Sequence, residues 1–142
     1  MAQSILLFLF LCFGAGVAAQ GKIMVRISNF KNSNGVCRVC LFDNAAAYNG
    51  DGNPVQCLTT GISNKNAVAI FESVPIGTYA ISVFHDANKN NKLDVNFVGI
   101  PKEGYGASKN KLPFAAAPSF KENQFTLQQG AALNLPIKLR NL

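Results

Sequence analysis

The sequence predicts an all-β protein: one antiparallel β-sandwich of about seven short strands, interrupted by two long loops. Three observations point there. Apolar residues recur with a period of two in several separate segments. Clusters of Asn, Gly and Pro punctuate those segments. Nowhere does a stretch long enough for a stable helix carry helical periodicity.

The strands follow in order. Residues 22–28 place Ile23, Val25 and Ile27 on one face and Lys22, Arg26 and Ser28 on the other. Asn32-Ser33-Asn34-Gly35 is a turn signal, and residues 36–42 then alternate Cys37, Val39 and Leu41 against Arg38, Cys40 and Phe42. Two such runs joined through Asn-Gly read as a hairpin. Residues 67–71 form a third strand, and after Val74-Pro75-Ile76-Gly77 a fourth spans 78–85. Two more are expected at 124–127 and 131–139, separated by Gln128-Gln129-Gly130. Pro136 cannot donate a ladder hydrogen bond, so the last strand belongs at a sheet edge or a bulge. The connections 43–66 and 86–123 are longer than a small sandwich needs, and loops of that length are functional, held or disordered. The second carries Phe97, Tyr105, Phe114 and Phe120, aromatic residues expected to pack.

Residues 4–19 contain no charge, are short for a membrane span and end in small residues, with Val17 and Ala19 suiting positions −3 and −1 of a signal peptidase site. Residues 1–19 are therefore expected to be a cleaved secretory signal and residues 20–142 a single secreted domain, extracellular or periplasmic and not membrane-spanning. The chain of 142 residues carries 13 Lys and Arg against 7 Asp and Glu, a formal net charge of +6. The cations are scattered singly, without the aromatic-basic pattern of RNA-binding domains, which argues against a nucleic-acid partner and for weak attraction to anionic glycans or envelope lipids. No Gly-rich phosphate loop, HExxH or GxSxG motif is present.

Chemistry concentrates in the stretch His85-Asp86-Ala87-Asn88-Lys89-Asn90-Asn91-Lys92-Leu93-Asp94. Asp86, Asn88, Asn90 and Asp94 fall at positions 1, 3, 5 and 9 of an EF-hand-type loop, with the Lys92 carbonyl at position 7. Short oxygen-bearing side chains at alternate positions can wrap a hard cation, so these five residues are candidate ligands of a structural Ca²⁺ ion. Position 6, which needs a positive φ, is Asn91. Position 12 is Phe97 rather than a bidentate Glu, so the loop is not an EF-hand. The competing reading is a set of Asx-turns in which the same side chains bind their own backbone.

The run from Phe71 to Asp94, with Val98-Gly99-Ile100-Pro101-Lys102-Glu103-Gly104-Tyr105-Gly106-Ala107-Ser108 and Pro118-Ser119-Phe120-Lys121, resembles the DUF2141 family. The resemblance implies a secreted or periplasmic protein with an immunoglobulin- or transthyretin-like sandwich and supplies no reaction. The family's loop runs His-Asp-Glu-Asn-Gly-Asn-Gly-Lys-Leu-Asp. The present chain departs from it at Ala87, Lys89 and Asn91, losing one acid and two glycines.

Beyond the signal segment the cysteines are Cys37, Cys40 and Cys57. On a strand Cys37 and Cys40 point to opposite faces, and no helix N-terminus is expected there, so redox CxxC chemistry is set aside. A disulfide is the expected state in a secreted chain. Cys40–Cys57 is favoured because Cys40 lies nearest the first long loop, with Cys37–Cys57 the alternative; the remaining cysteine is buried or free for an intermolecular bond. His85 reads as a satisfied core residue more readily than as a base, and Glu103 as a ligand, a surface charge or a partner of His85. The expected function is thus a non-enzymatic binding module with a protein, glycan or envelope partner. The alternatives are self-assembly through sheet edges and a glycan-acting enzyme using His85 and Glu103.

Overall fold

The structure is a computed structural model that describes Gly14 and residues 16–142; the remainder of the expected signal segment 1–19 lies outside the described residues. The described residues form eight strands and two short helices: β1 (Gln20–Ser28), β2 (Val36–Phe42), α1 (Ala45–Tyr48), β3 (Gln56–Thr60), β4 (Ala67–Pro75), β5 (Gly77–Asp86), β6 (Tyr105–Ala107), α2 (Phe120–Asn123), β7 (Phe125–Leu127) and β8 (Ala132–Lys138). One sheet has the order β4-β1-β8; the other has the order β3-β2-β5-β6, with β7 also paired to β5. β6 meets Ser82–Phe84 and β7 meets Gly77–Tyr79, so the two short strands lie end to end along one side of β5.

Alternation builds the core. Ile23, Val25 and Ile27 from β1, Ala67, Ala69 and Phe71 from β4, and Ile137 from β8 face Cys37, Val39 and Leu41 from β2 and Tyr79, Ile81 and Val83 from β5 in one buried cluster. The strand faces assigned from the sequence are therefore the faces that are buried. Pro136 sits on β8, an edge strand paired to β1 alone. There the Asn110 side chain takes over part of the ladder, donating to the Pro136 carbonyl at 3.0 Å and accepting from the Lys138 N–H at 2.8 Å.

The expected hairpin of residues 22–28 with 36–42 does not form. β1 pairs with β4 and β8, and β2 pairs with β3 and β5. Residues 29–35 instead carry the chain from one sheet to the other, with Phe30 buried at the crossing. Nor is the structure wholly antiparallel: β8 runs parallel to β1. The turn before β8 is tied to the start of β1, since Gly130 N–H donates to the Gln20 carbonyl and Lys22 N–H to the Ala131 carbonyl, and this fixes the direction in which β8 sets off.

Two strands, β3 and β6, and both helices lie within the segments expected to be loops. β3 pairs with β2 in a register that sets Cys57 opposite Cys40. These two cysteines are bonded, with Cα atoms 4.1 Å apart. Cys37, on the opposite face of β2, is free and fully buried, and burial pushes its thiol pKa up to about 12. The two long segments also touch each other: Tyr48 of α1 packs edge-on against Phe120 of α2, ring centroids 6.0 Å apart.

Candidate functional site

The site grows from the end of β5, where the inward alternation Tyr79, Ile81, Val83 continues into His85. His85 is 2 % exposed, its ring packs edge-on against Phe30 at 5.2 Å, and its Nε2 lies 2.7 Å from the Asn34 carbonyl. It is a core residue that fastens the 29–35 crossing. Gly35 in that crossing has φ +69°, and a Cβ there would run into the backbone of Asp86 and Ala87. Only glycine lets the crossing lie against the root of the loop.

Asp86 is fully buried at this root. Its Oδ2 accepts from Arg38 Nε at 2.7 Å and from the Asn91 N–H at 3.0 Å, while Oδ1 accepts from the Asn90 N–H at 3.0 Å. Burial raises its pKa, but the Arg38 hydrogen bond, the Asn91 and Asn90 N–H groups and the Arg38 charge together outweigh it and hold the carboxyl below its ordinary range. Arg38 reaches on to Thr59 Oγ1 on β3 at 3.0 Å, so one guanidinium links β2, β3 and the loop.

The other candidate ligands gather a short way off. Asp94 accepts from Asn88 Nδ2 at 2.7 Å and from Asn90 Nδ2 at 2.8 Å. The Asn88 and Asn90 side-chain oxygens accept from the Asn90 and Lys92 N–H groups in turn, as Asx-turns do. The five predicted residues thus divide: Asn88, Asn90 and Asp94 converge, the Lys92 amide closes the turn, and Asp86 is sealed against Arg38. No group of three or more His, Cys, Asp and Glu side chains converges among the described residues. Glu103 clips the loop shut, Oε1 accepting from Ala87 N–H and Oε2 from Asp94 N–H, both at 3.0 Å.

Above the clip the chain forms a tight projection. Lys102 N–H donates to the Asp94 carbonyl, Val95 bridges Pro101, and Asn96 and Ile100 are joined by an N–H to carbonyl bond of 2.8 Å. Asn96 Oδ1 also accepts from the N–H groups of Val98 and Ile100, both at 3.0 Å. The N–H groups of Asn96, Val98, Gly99 and Ile100 are thereby paired within the projection while the apolar side chains face solvent. Phe97 is 100 % exposed and Val98 61 %. Phe114, from the neighbouring strand-free stretch, is 96 % exposed. The expectation that Phe97 and Phe114 pack is therefore wrong, since Asn96 and Glu103 hold the first segment and Arg140 the second, and no aromatic core is needed. Tyr105 and Phe120 are partly buried. Between projection and stretch lies a groove of about 790 Å³ walled by Leu93, Val95, Ile100, Tyr105, Phe114 and Pro118 among others. It continues past Tyr105 and Pro118 into a hollow of about 490 Å³ beside Tyr48 and Phe84.

Residues that sequence reasoning missed hold the far wall. Buried Asn123 accepts from the Lys109 and Lys111 N–H groups and donates to the carbonyls of Lys111 and Ser119. Ser108 Oγ accepts from Ile81 N–H and donates to the Asn123 carbonyl. Arg140 donates to the carbonyls of Leu112 and Pro113, both at 2.8 Å. Apart from Ser119, four residues before Asn123, these partners lie 12 or more residues away, so no local pattern could signal them.

The family model described as "Uncharacterized protein conserved in bacteria (DUF2141)" matches residues 25–134. The chain belongs to the DUF2141 family. Neither the curated proteins nor the solved structures contain a match. At the two loop positions where the resemblance led to an expectation of glycine, the backbone is left-handed: Lys89 has φ 58° and Asn91 φ 66°. Asn91 meets the positive φ expected of position 6. Lys89 pays for it with strain, since a side chain in that region costs about 1–2 kcal/mol.

Proposed function

We propose that this DUF2141 chain is a secreted, non-enzymatic binding module whose recognition face is the apolar projection and groove of residues 93–118. One observation carries the reading: Phe97 stands free of the protein on a projection tied by Asn96, and Phe114 stands free on a stretch tied by Arg140. Contiguous exposed apolar surface of this kind marks interaction sites. A frame of three- and five-stranded sheets around one core supports a sandwich of the immunoglobulin or transthyretin type. The disulfide suits an oxidising compartment.

The glycan-acting alternative finds less support. His85 is buried, and both Glu103 oxygens already accept backbone N–H groups. Self-assembly is likewise disfavoured by Asn110 covering the β8 edge and by the burial of Cys37.

A second reading keeps the calcium-type site, now centred on Asn88, Asn90 and Asp94. It is favoured by the convergence of both amides on one carboxylate: turning each amide over gives up its bond to the Asn90 or Lys92 N–H and points its oxygen to the place its N–H₂ now fills. Millimolar Ca²⁺ then raises the melting temperature of the native chain but not of Asp94→Asn. An equal response in both would withdraw the ion.

The recognition face is tested with an apolar anionic dye, anilinonaphthalene sulfonate. The folded chain should bind it saturably, and Ile100→Asp and Phe114→Asp should abolish the signal at unchanged melting temperature. Dye binding that is absent, or indifferent to both substitutions, removes the reading.

A further inference from the structure

Resting on that recognition face, we infer that its partner is a membrane surface rich in anionic phospholipid, into which the 95–100 projection and Phe114 insert. Three features of the segment fit lipid better than protein.

First, the inserting side chains carry no hydrogen-bonding group. Val95, Phe97, Val98, Ile100, Phe114 and the alanines after it are exposed, yet none offers a donor or acceptor. Protein-binding hot spots favour Tyr, Trp and Arg, which can be paired as they are desolvated. Hydrocarbon asks for no pairing.

Second, most N–H groups at the tip of the projection are already paired within it. An N–H or carbonyl entering the acyl region without a partner is costly, which normally confines such insertion to helices and closed barrels. Here Asn96 alone answers three N–H groups: its side-chain oxygen takes those of Val98 and Ile100, and its carbonyl takes that of Gly99. Its own N–H goes to the Ile100 carbonyl. Asn96 thus removes three exposed donors from the tip of the projection.

Third, the exposed charged side chains of residues 86–111 are all lysines. Lys89, Lys92, Lys102, Lys109 and Lys111 are all exposed. The carboxylates of the same segment, Asp86, Asp94 and Glu103, are buried or partly buried and accept hydrogen bonds from the chain. Lys92 directly precedes Leu93 and Lys102 directly follows Pro101, so cations flank the groove wall at both ends of the projection. Lysine is depleted at protein interfaces and favoured where anionic headgroups are met.

The test is co-sedimentation of the full chain with vesicles of phosphatidylcholine, alone or mixed equally with phosphatidylglycerol. Binding is expected to the mixed vesicles, to weaken with salt, and to be slight on phosphatidylcholine alone. Phe97→Ser combined with Phe114→Ser should weaken it at least tenfold, as loss of apolar burial requires, with an unchanged melting temperature because neither ring contributes to the core. Lys89→Gln, Lys92→Gln and Lys102→Gln together should weaken it about a hundredfold, each lysine being worth roughly fivefold near an anionic surface. No binding to the mixed vesicles, or binding that the phenylalanine substitutions leave unchanged, overturns the inference. Dye binding in the groove separates the two failures. If the dye still binds, the recognition face stands and its partner is an acidic apolar protein segment or another surface; if it does not, the face itself is lost.

Discussion

Replacing Asp86 by Asn tests the root of the loop without opening a cavity. The carboxylate accepts one hydrogen bond on Oδ1 and two on Oδ2. An amide can keep the two on Oδ2 by turning its nitrogen to the Oδ1 side, where it then meets the Asn90 N–H donor to donor. The substitution therefore loses one backbone hydrogen bond and reduces the Arg38 contact from charged to neutral. A hydrogen bond to a charged group contributes about 1.5–3 kcal/mol and a neutral one about 1 kcal/mol. Arg38, left without its counter-charge, retains Thr59 and is 24 % exposed, so water relieves part of its cost. The expected loss is about 3 kcal/mol, near the lower end of what breaking a buried pair costs. For a domain of this size that lowers the melting temperature by about 10 °C at neutral pH.

The pH dependence has a definite sign. The folded-state pKa of Asp86 is depressed below its unfolded value, so its contribution is fully present above the unfolded value of about 3.9. It is lost as pH falls below that and through the folded value. The deficit of Asp86→Asn, measured by calorimetry from about pH 7 to about pH 2, should shrink across that acid window, because the native chain is then protonated at the same position. A deficit that is small at pH 7, or one that persists unchanged at the acid end, would refute the assignment of Asp86 as a charged anchor for Arg38.

Removing the disulfide with Cys40→Ala and Cys57→Ala should cost about 3 kcal/mol, the loop-closure value for a sequence separation of 17, read from denaturant unfolding. In the folded chain Cys37 should resist alkylation at pH 8 and react at once in denaturant, since its thiol is buried and its pKa pushed to about 12. Gly35→Ala should destabilise by at least about 2 kcal/mol through positive φ and contact with the loop root, whereas Lys89→Gly should stabilise by up to about 1 kcal/mol by relieving left-handed strain. Asn123→Ala should open the far wall of the groove to trypsin at Lys109 and Lys111 while the strands stay protected.

Alternation along the chain made the sheets legible. Ile23, Val25 and Ile27, and Cys37, Val39 and Leu41, declare their buried faces without any knowledge of partners. Partner choice was not legible, because an Asn-Gly turn looks the same whether it closes a hairpin or carries the chain between sheets. β3 escaped because Gln56–Thr60 is short, polar and largely exposed, and is held by the bond to Cys40 and by pairing rather than by apolar burial. β6 has only three residues, one of them glycine. In the candidate site, the loop from Asp86 to Asp94 stood out by its Asp and Asn spacing, and the left-handed Asn91 followed from it. Arg38 and Asn123 did not, and Glu103 stood out without its role as a clip, since each acts across a gap in sequence on a backbone group or on a charge that composition cannot pair. The exposure of Phe97 and Phe114 was hidden for the same reason. Aromatic residues in a long loop signal packing unless something else holds the loop, and here Glu103, Asn96 and Arg140 do.

That holding is the claim on which the recognition face rests, and backbone hydrogen exchange reports it residue by residue. The amides of Ala87, Asp94, Val98 and Ile100 donate to Glu103 or Asn96 and should exchange far more slowly than open-loop amides. In Glu103→Ala those of Ala87 and Asp94 should lose protection together while β2 and β5 keep theirs. Exchange of all four at open-loop rates in the native chain would mean that the projection is not rigid, and the account of a preformed apolar face would be contradicted.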